Sequence, residues 1–76
     1  MNKARRDLLK RAISTLETVE DYVNTALDEE QDCLDNLPEN LEGSERYEKM
    51  GNAVEKLENA LESIEEAKTY MEEAAE

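Results

Sequence analysis

Seventy-six residues make one small domain at most, and a chain this short has surface enough to bury only a thin core. With 38% hydrophobic and 39% charged residues, three Tyr and no Phe or Trp, the composition describes solvent-washed helices around an aliphatic interior. A net charge of −12 sets the field against nucleic acid and acidic membranes, so direct binding to either is not expected.

The charge is unevenly spread. Residues 1–12 hold Lys3, Arg5, Arg6, Lys10 and Arg11 against Asp7, a net +4, so a total of −12 leaves −16 for residues 13–76. Such a chain draws basic protein surfaces toward its acidic arm. The opening Met-Asn-Lys-Ala-Arg-Arg leads into no uninterrupted apolar segment of the kind a signal peptide needs, and no apolar run is long enough to span a bilayer. The lone cysteine, Cys33, has no internal disulfide partner, which fits a reducing compartment, and its expected role is packing. A cytoplasmic location is the expectation.

From Ala4 to Asn36 there is neither Pro nor Gly. Leu9, Ile13, Leu16, Val23, Leu27 and Leu34 recur at alternating steps of four and three that skip only Glu20 and Glu30. This spacing predicts a helix over about residues 3–36, some ~50 Å long, with a coiled-coil-like seam interrupted at two acidic positions. A second stripe, displaced by one residue, comprises Leu8, Ala12, Val19, Tyr22, Ala26 and Cys33. A two-helix hairpin needs one seam per helix, so this surplus face is the candidate apolar interface. Either another helix packs on it, most economically in a homodimeric four-helix bundle, or the broad face wraps around the second helix and remains partly exposed.

Residues 37–43 read as a corner. Asn36 is placed to cap a turn beginning at Leu37, with Glu39 completing a capping-box exchange, while Leu37 and Leu41 fold under to close the core. Gly43 breaks that turn, and the Ser44 hydroxyl starts a second helix over about 44–75. Its heptad is cleaner: Tyr47, Met50, Val54, Leu57, Leu61, Ile64, Lys68, Met71 and Ala75, with only Lys68 polar. Ala53, Ala60, Ala67 and Ala74 repeat along one flank and Gly51, Glu58, Glu65 and Glu72 along the other. The small flank allows a neighbouring helix to approach closely, although the helix propensity of alanine accounts for the same repeat. Folding back would set the basic start, Lys3 to Arg11, beside Glu65, Glu66, Glu72, Glu73 and Glu76, and this charge match favours an antiparallel hairpin.

Chemistry finds little foothold. The run Asp28–Glu39 imitates a calcium loop, with oxygen donors at Asp28, Glu30 and Asp32 and an acid at Glu39, but Cys33 stands where the sharp turn needs glycine. One Cys and no His supply too few ligands for zinc. No base is available to activate Ser14, Ser44, Ser63 or Cys33, and nothing encloses acid pairs such as Glu62 with Glu65 or Glu66 to separate their pKa values. No catalytic residue, cofactor or metal is therefore expected. Lys3, Arg6 and Lys10 share a face that suits an interfacial helix or a nucleic-acid arm, yet the −16 that follows favours pairing within the chain.

The acidic surface has a sharper use. Glu55, Glu58, Glu62, Glu65 and Glu66 form the candidate acidic interface, a row of carboxylates that would enter a DNA-binding groove as a nucleic-acid mimic. The plain alternative is a solubilising outer face.

The second half, NLPENLEGSERYEKMGNAVEKLENALESIEEA from Asn36 to Ala67, resembles small acidic helical-hairpin proteins of gut bacteria and their phages or mobile elements. The carrying motifs are the N-L-P-E-N-L-x-x-S-E-R-Y-E-K-M corner and the A-V-x-x-L-E-x-A-x-x-S-I-E-E-A helix. That resemblance implies a helical hairpin and a mobile-element setting, and it brings no catalytic residues.

The sequence thus predicts an all-α antiparallel hairpin, residues 1–76, expected to self-associate as a homodimer. Its expected function is that of a non-enzymatic acidic protein-interaction module whose partner is itself or a protein with a basic or apolar groove. The alternative is an acidic nucleic-acid mimic that blocks a DNA- or RNA-binding protein of host defence.

Overall fold

The first helix, α1, runs over Lys3–Asp35 and the second, α2, over Glu45–Ala74, in a computed structural model that describes residues 1–76. No strand is present, and a single 3-10 turn, Glu39–Leu41, lies between the helices. Asn2 caps α1, its side-chain oxygen accepting from the Arg5 amide at 2.9 Å. At the other end, Ser44 caps α2 by accepting from the Tyr47 amide at 3.2 Å. Glu45 and Glu48 in the first turn of α2 complement its dipole, whereas α1 has no acid in its first turn and no base in its last.

The helices fold back on one another. The Cα atoms span 59 × 15 × 13 Å, the length of one helix and the width of two. This is the all-helical hairpin that the periodicity predicts.

The corner is built differently from its prediction. The Asn36 side chain turns back along α1 and donates to the Asp32 carbonyl at 2.7 Å, so it closes α1 rather than opening the next turn. Pro38 stands at the start of the 3-10 turn, with no side-chain cap, and the capping box with Glu39 does not form. Backbone bonds hold the corner instead: Leu41 N–H to Pro38 O at 2.9 Å, Glu42 N–H to Glu39 O at 3.1 Å and Ser44 N–H to Leu41 O at 3.1 Å. Gly43 takes φ +81°, a left-handed conformation that costs an L-residue and not glycine. Leu37 and Leu41 are half-buried beneath it, as expected.

The core is thin. Only Met50 and Val54 are buried, at 9% and 7% exposure; Leu9, Ile13, Leu16, Val23, Leu27 and Leu34 of α1 and Leu57, Leu61, Ile64 and Met71 of α2 remain half-covered. The total exposed area is 5759 Å² at 8.7 kDa, about 1,000 Å² more than the roughly 4,700 Å² that size scaling gives for a compact monomer.

Candidate interaction surface

The seam itself contains one polar contact, made by two positions that interrupt the heptads. Lys68 Nζ donates to Glu20 Oε1 at 2.6 Å, with side-chain exposures of 14% and 19%, and also meets Glu65 Oε2 at 3.2 Å. The lysine's hydrogen bond holds the Glu20 carboxyl below its ordinary 4.5, despite the opposing effect of burial. Reciprocally, the bond to Glu20, supported by Glu65, raises Lys68 above its ordinary 10.5. A charge pair within seams that are otherwise apolar except at Glu30 favours one register, because sliding either helix would set these charges against aliphatic side chains. Two sequence signals, an acid in the first seam and the lone base in the second, point to this pairing, which single-helix periodicity does not reveal.

The second acidic interruption, Glu30, is half-buried and lines an open depression with Glu45, Arg46, Lys49 and Met50. Nothing there closes over it. Lys49 pairs with Glu45 at 3.2 Å along its own helix, both side chains being exposed. The calcium-like run does not form a loop, since Asp28 to Asp35 are turns of α1.

Outside the seam, the surplus stripe is uncovered. Leu8 is 61% exposed, Val19 36% and Tyr22 72%, Ala26 and Cys33 are exposed, and Ala12 is half-buried. The broad face of α1 is thus partly covered at Ala12 and Val19 and open at Leu8, Tyr22, Ala26 and Cys33. Cys33, expected to pack, does not do so within the hairpin. Thr15 and Glu29 complete the stripe's spacing, so that positions 8, 12, 15, 19, 22, 26, 29 and 33 form an unbroken heptad seam. The Thr15 hydroxyl donates to the Arg11 carbonyl at 2.9 Å, which satisfies its donor within the helix and leaves its methyl group for contact.

Handedness brings a second set of residues to this side. In two right-handed helices running in opposite directions, the residue just before each first seam position of a heptad falls on the same face of the pair. That rule aligns the stripe of α1 with Ala53, Ala60, Ala67 and Ala74 of α2, the first three half-buried and the last exposed. Ala12, Val19, Ala26 and Cys33 of α1 thus share a face of the hairpin with the alanines of α2.

The opposite flank carries the acids. Glu55, Glu58, Glu62, Glu65 and Glu66 are all exposed, and of these only Glu65 is engaged, by Lys68. The charges expected to pair across the open end do not meet: none of Lys3, Arg5, Arg6, Lys10 or Arg11 forms an ion pair with α2. Arg6 instead donates to the Met1 carbonyl at 2.7 Å. The basic segment of α1 is thus left without an ion pair to Glu72, Glu73 or Glu76.

No helix is long and apolar enough to cross a membrane. No protein-family model, curated protein or solved structure matches the chain.

Proposed function

We propose that the chain is a non-enzymatic helical protein-interaction module that acts by self-association, its contact surface being the Leu8, Ala12, Val19, Tyr22, Ala26 and Cys33 stripe of α1. The observation that carries this reading is the imbalance of burial. Within the hairpin only Met50 and Val54 are buried, while most of a heptad seam as long as the one in use stays open to solvent. An exposed apolar stripe of this length, interrupted at Thr15 and Glu29, supports an interaction site. Covering it with a second hairpin gives a four-helix bundle, with the two interior-facing seams of α1 at right angles to each other. A cytoplasmic setting, supported by the single unpaired cysteine, belongs to the same reading. So does a mobile-element origin, which rests on the resemblance of the Asn36–Ala67 segment.

A nucleic-acid mimic is the second reading, favoured by one observation: Glu55, Glu58, Glu62 and Glu66 are exposed and free of ion pairs along one face of α2. Sedimentation equilibrium separates the two. Self-association gives twice the 8.7 kDa chain mass, and reversing those four acids to lysine leaves that mass intact. A chain that stays monomeric, yet binds a basic protein in a salt-dependent manner lost on reversal, supports the mimic instead.

A further inference from the structure

Which way a second copy lies follows from charge and spacing along α1. The stripe positions 8, 12, 15, 19, 22, 26, 29 and 33 are symmetric about the helix midpoint near Glu20 and Asp21. Reversing the helix end for end maps this set onto itself, so α1 meets an inverted α1 with every position matched. Leu8 then faces Cys33, Val19 faces Tyr22, Thr15 faces Ala26 and Ala12 faces Glu29, each a larger side chain against a smaller one, with Glu29 the one charged position of the set.

Charge distinguishes this arrangement from its parallel counterpart. The first third of α1, Lys3 to Arg11, is net +4, and Asp28 to Asp35 holds five acids and no base. The corner as a whole, residues 28–48, carries nine acids against Arg46. Setting two corners side by side would concentrate that charge, whereas inversion lays the acidic end of each α1 on the basic end of the other. The row beside the stripe repeats the pattern: Ala4, Arg11, Thr18, Thr25 and Asp32 recur every seven residues. Inverted, Arg11 lies against Asp32 and Thr18 against Thr25. Arg11 and Asp32 are both exposed, and neither forms an ion pair within the hairpin. On α2, inversion about the same midpoint stacks the alanine strip on itself, where methyl-sized side chains permit close approach.

The area is sufficient. A stripe of 25 intervals is about 38 Å long, and the hairpin is 15 Å wide across its Cα atoms. The footprint is roughly 600 Å² before side-chain relief, near the ~800 Å² that each partner contributes to a standard interface.

We propose that the occupant of this face is a second copy of the chain, inverted about a two-fold axis near Glu20 and Asp21, so that α1 packs antiparallel on the partner's α1 and each Arg11 meets the partner's Asp32. This rests on the reading of the stripe as a self-association surface and adds its geometry.

Cross-linking tests it on the full chain. In the inverted dimer Cys33 lies about 38 Å from the partner's Cys33 and next to the partner's Leu8. With glutathione disulfide as oxidant, Leu8→Cys should give a covalent dimer, while the unmodified chain and the double variant Leu8→Cys/Cys33→Ser should not. In the same preparations, Arg11→Glu should weaken association about three- to tenfold, and Arg11→Glu/Asp32→Arg should recover it. Twice the chain mass without the Leu8→Cys cross-link, or with equal cross-linking of the double variant, overturns the inverted geometry and leaves the self-association surface standing. A failed rescue by Asp32→Arg also overturns it. A monomer throughout the accessible concentration range overturns both.

Discussion

Val19→Glu isolates the surface from the fold. Val19 keeps 36% exposure in the hairpin, near the centre of the stripe and beside the proposed two-fold axis. Full burial of a valine contributes about 1.5–3 kcal/mol, so covering the remaining third contributes ~0.5–1 kcal/mol per copy. A two-fold interface counts the residue twice, ~1–2 kcal/mol in all. Glutamate removes that gain and sets a carboxylate against apolar side chains of the partner, which adds at least ~1 kcal/mol per copy. The sum is about 3 kcal/mol or more, on the order of 100-fold in Kd. Glutamate is a good helix former on a solvent-facing position, so the helicity of the separated chain should not fall. Sedimentation equilibrium over a concentration series gives the association constant, and circular dichroism of the same samples monitors the fold. Association within threefold of the unmodified chain, with helicity intact, would refute the assignment of the stripe as the contact surface.

The Glu20–Lys68 pair should appear in a pH series of thermal melts comparing the unmodified chain with Glu20→Gln. Because Glu20 is held below 4.5, its contribution is present above that value and is lost as the pH falls through its lower folded pKa. Because Lys68 is raised above 10.5, its contribution is present below that value and is lost as the pH rises through its higher folded pKa. The Tm difference should therefore be largest between these limits and shrink outside both; a gap unchanged from acid to alkali would show that the pair is not the cause. The two glycines should respond with opposite signs in urea unfolding. Gly43→Ala should destabilise by ~1–2 kcal/mol through its left-handed backbone, since nothing lies within 4 Å of an added Cβ. Gly51→Ala, within α2 and equally unobstructed, should stabilise by about 1 kcal/mol. Ser44→Ala should cost about 1 kcal/mol through loss of the cap on the Tyr47 amide, and Ser44→Asp should retain that stability.

The helices were legible because heptad spacing is a property of each segment alone. Leu9 to Leu34 and Met50 to Met71 mark which side of each helix is covered, without knowledge of the other. Ser44 and Gly43 were legible for the same reason: a hydroxyl before a helix and a glycine at a sharp reversal are local solutions to local backbone demands. Asn36 was ambiguous, since one side chain can cap the helix behind it or the turn ahead, and the Asp32 carbonyl won over the unpaired amides of a turn begun by Pro38. Glu20 and Lys68 read separately as imperfections, and only the alignment of α1 with α2 turns them into a pair. The charge match between the basic start and the acidic end behaves differently. Its direction agrees with the fold, but no ion pair joins the basic segment to α2. Net charge senses which ends lie together, and contact geometry is beyond its reach.

Met50 and Val54 lie in the first third of α2, close to the corner, so the best-protected packing sits where the two helices are tethered. Only the residues from Asn36 to Ser44 must be ordered to bring these side chains against α1, a closure on the ~10–100 ns scale for loops of this size. Every later contact then forms between residues already held next to a formed pair, with no further long loop to close. Structure is therefore expected to propagate from corner to open end like a zipper, with fraying in the other direction. Amide protons around Met50 and Val54 should be the last to exchange, those beyond Lys68 among the first, with the Glu20–Lys68 pair marking the point along the rod where one regime gives way to the other.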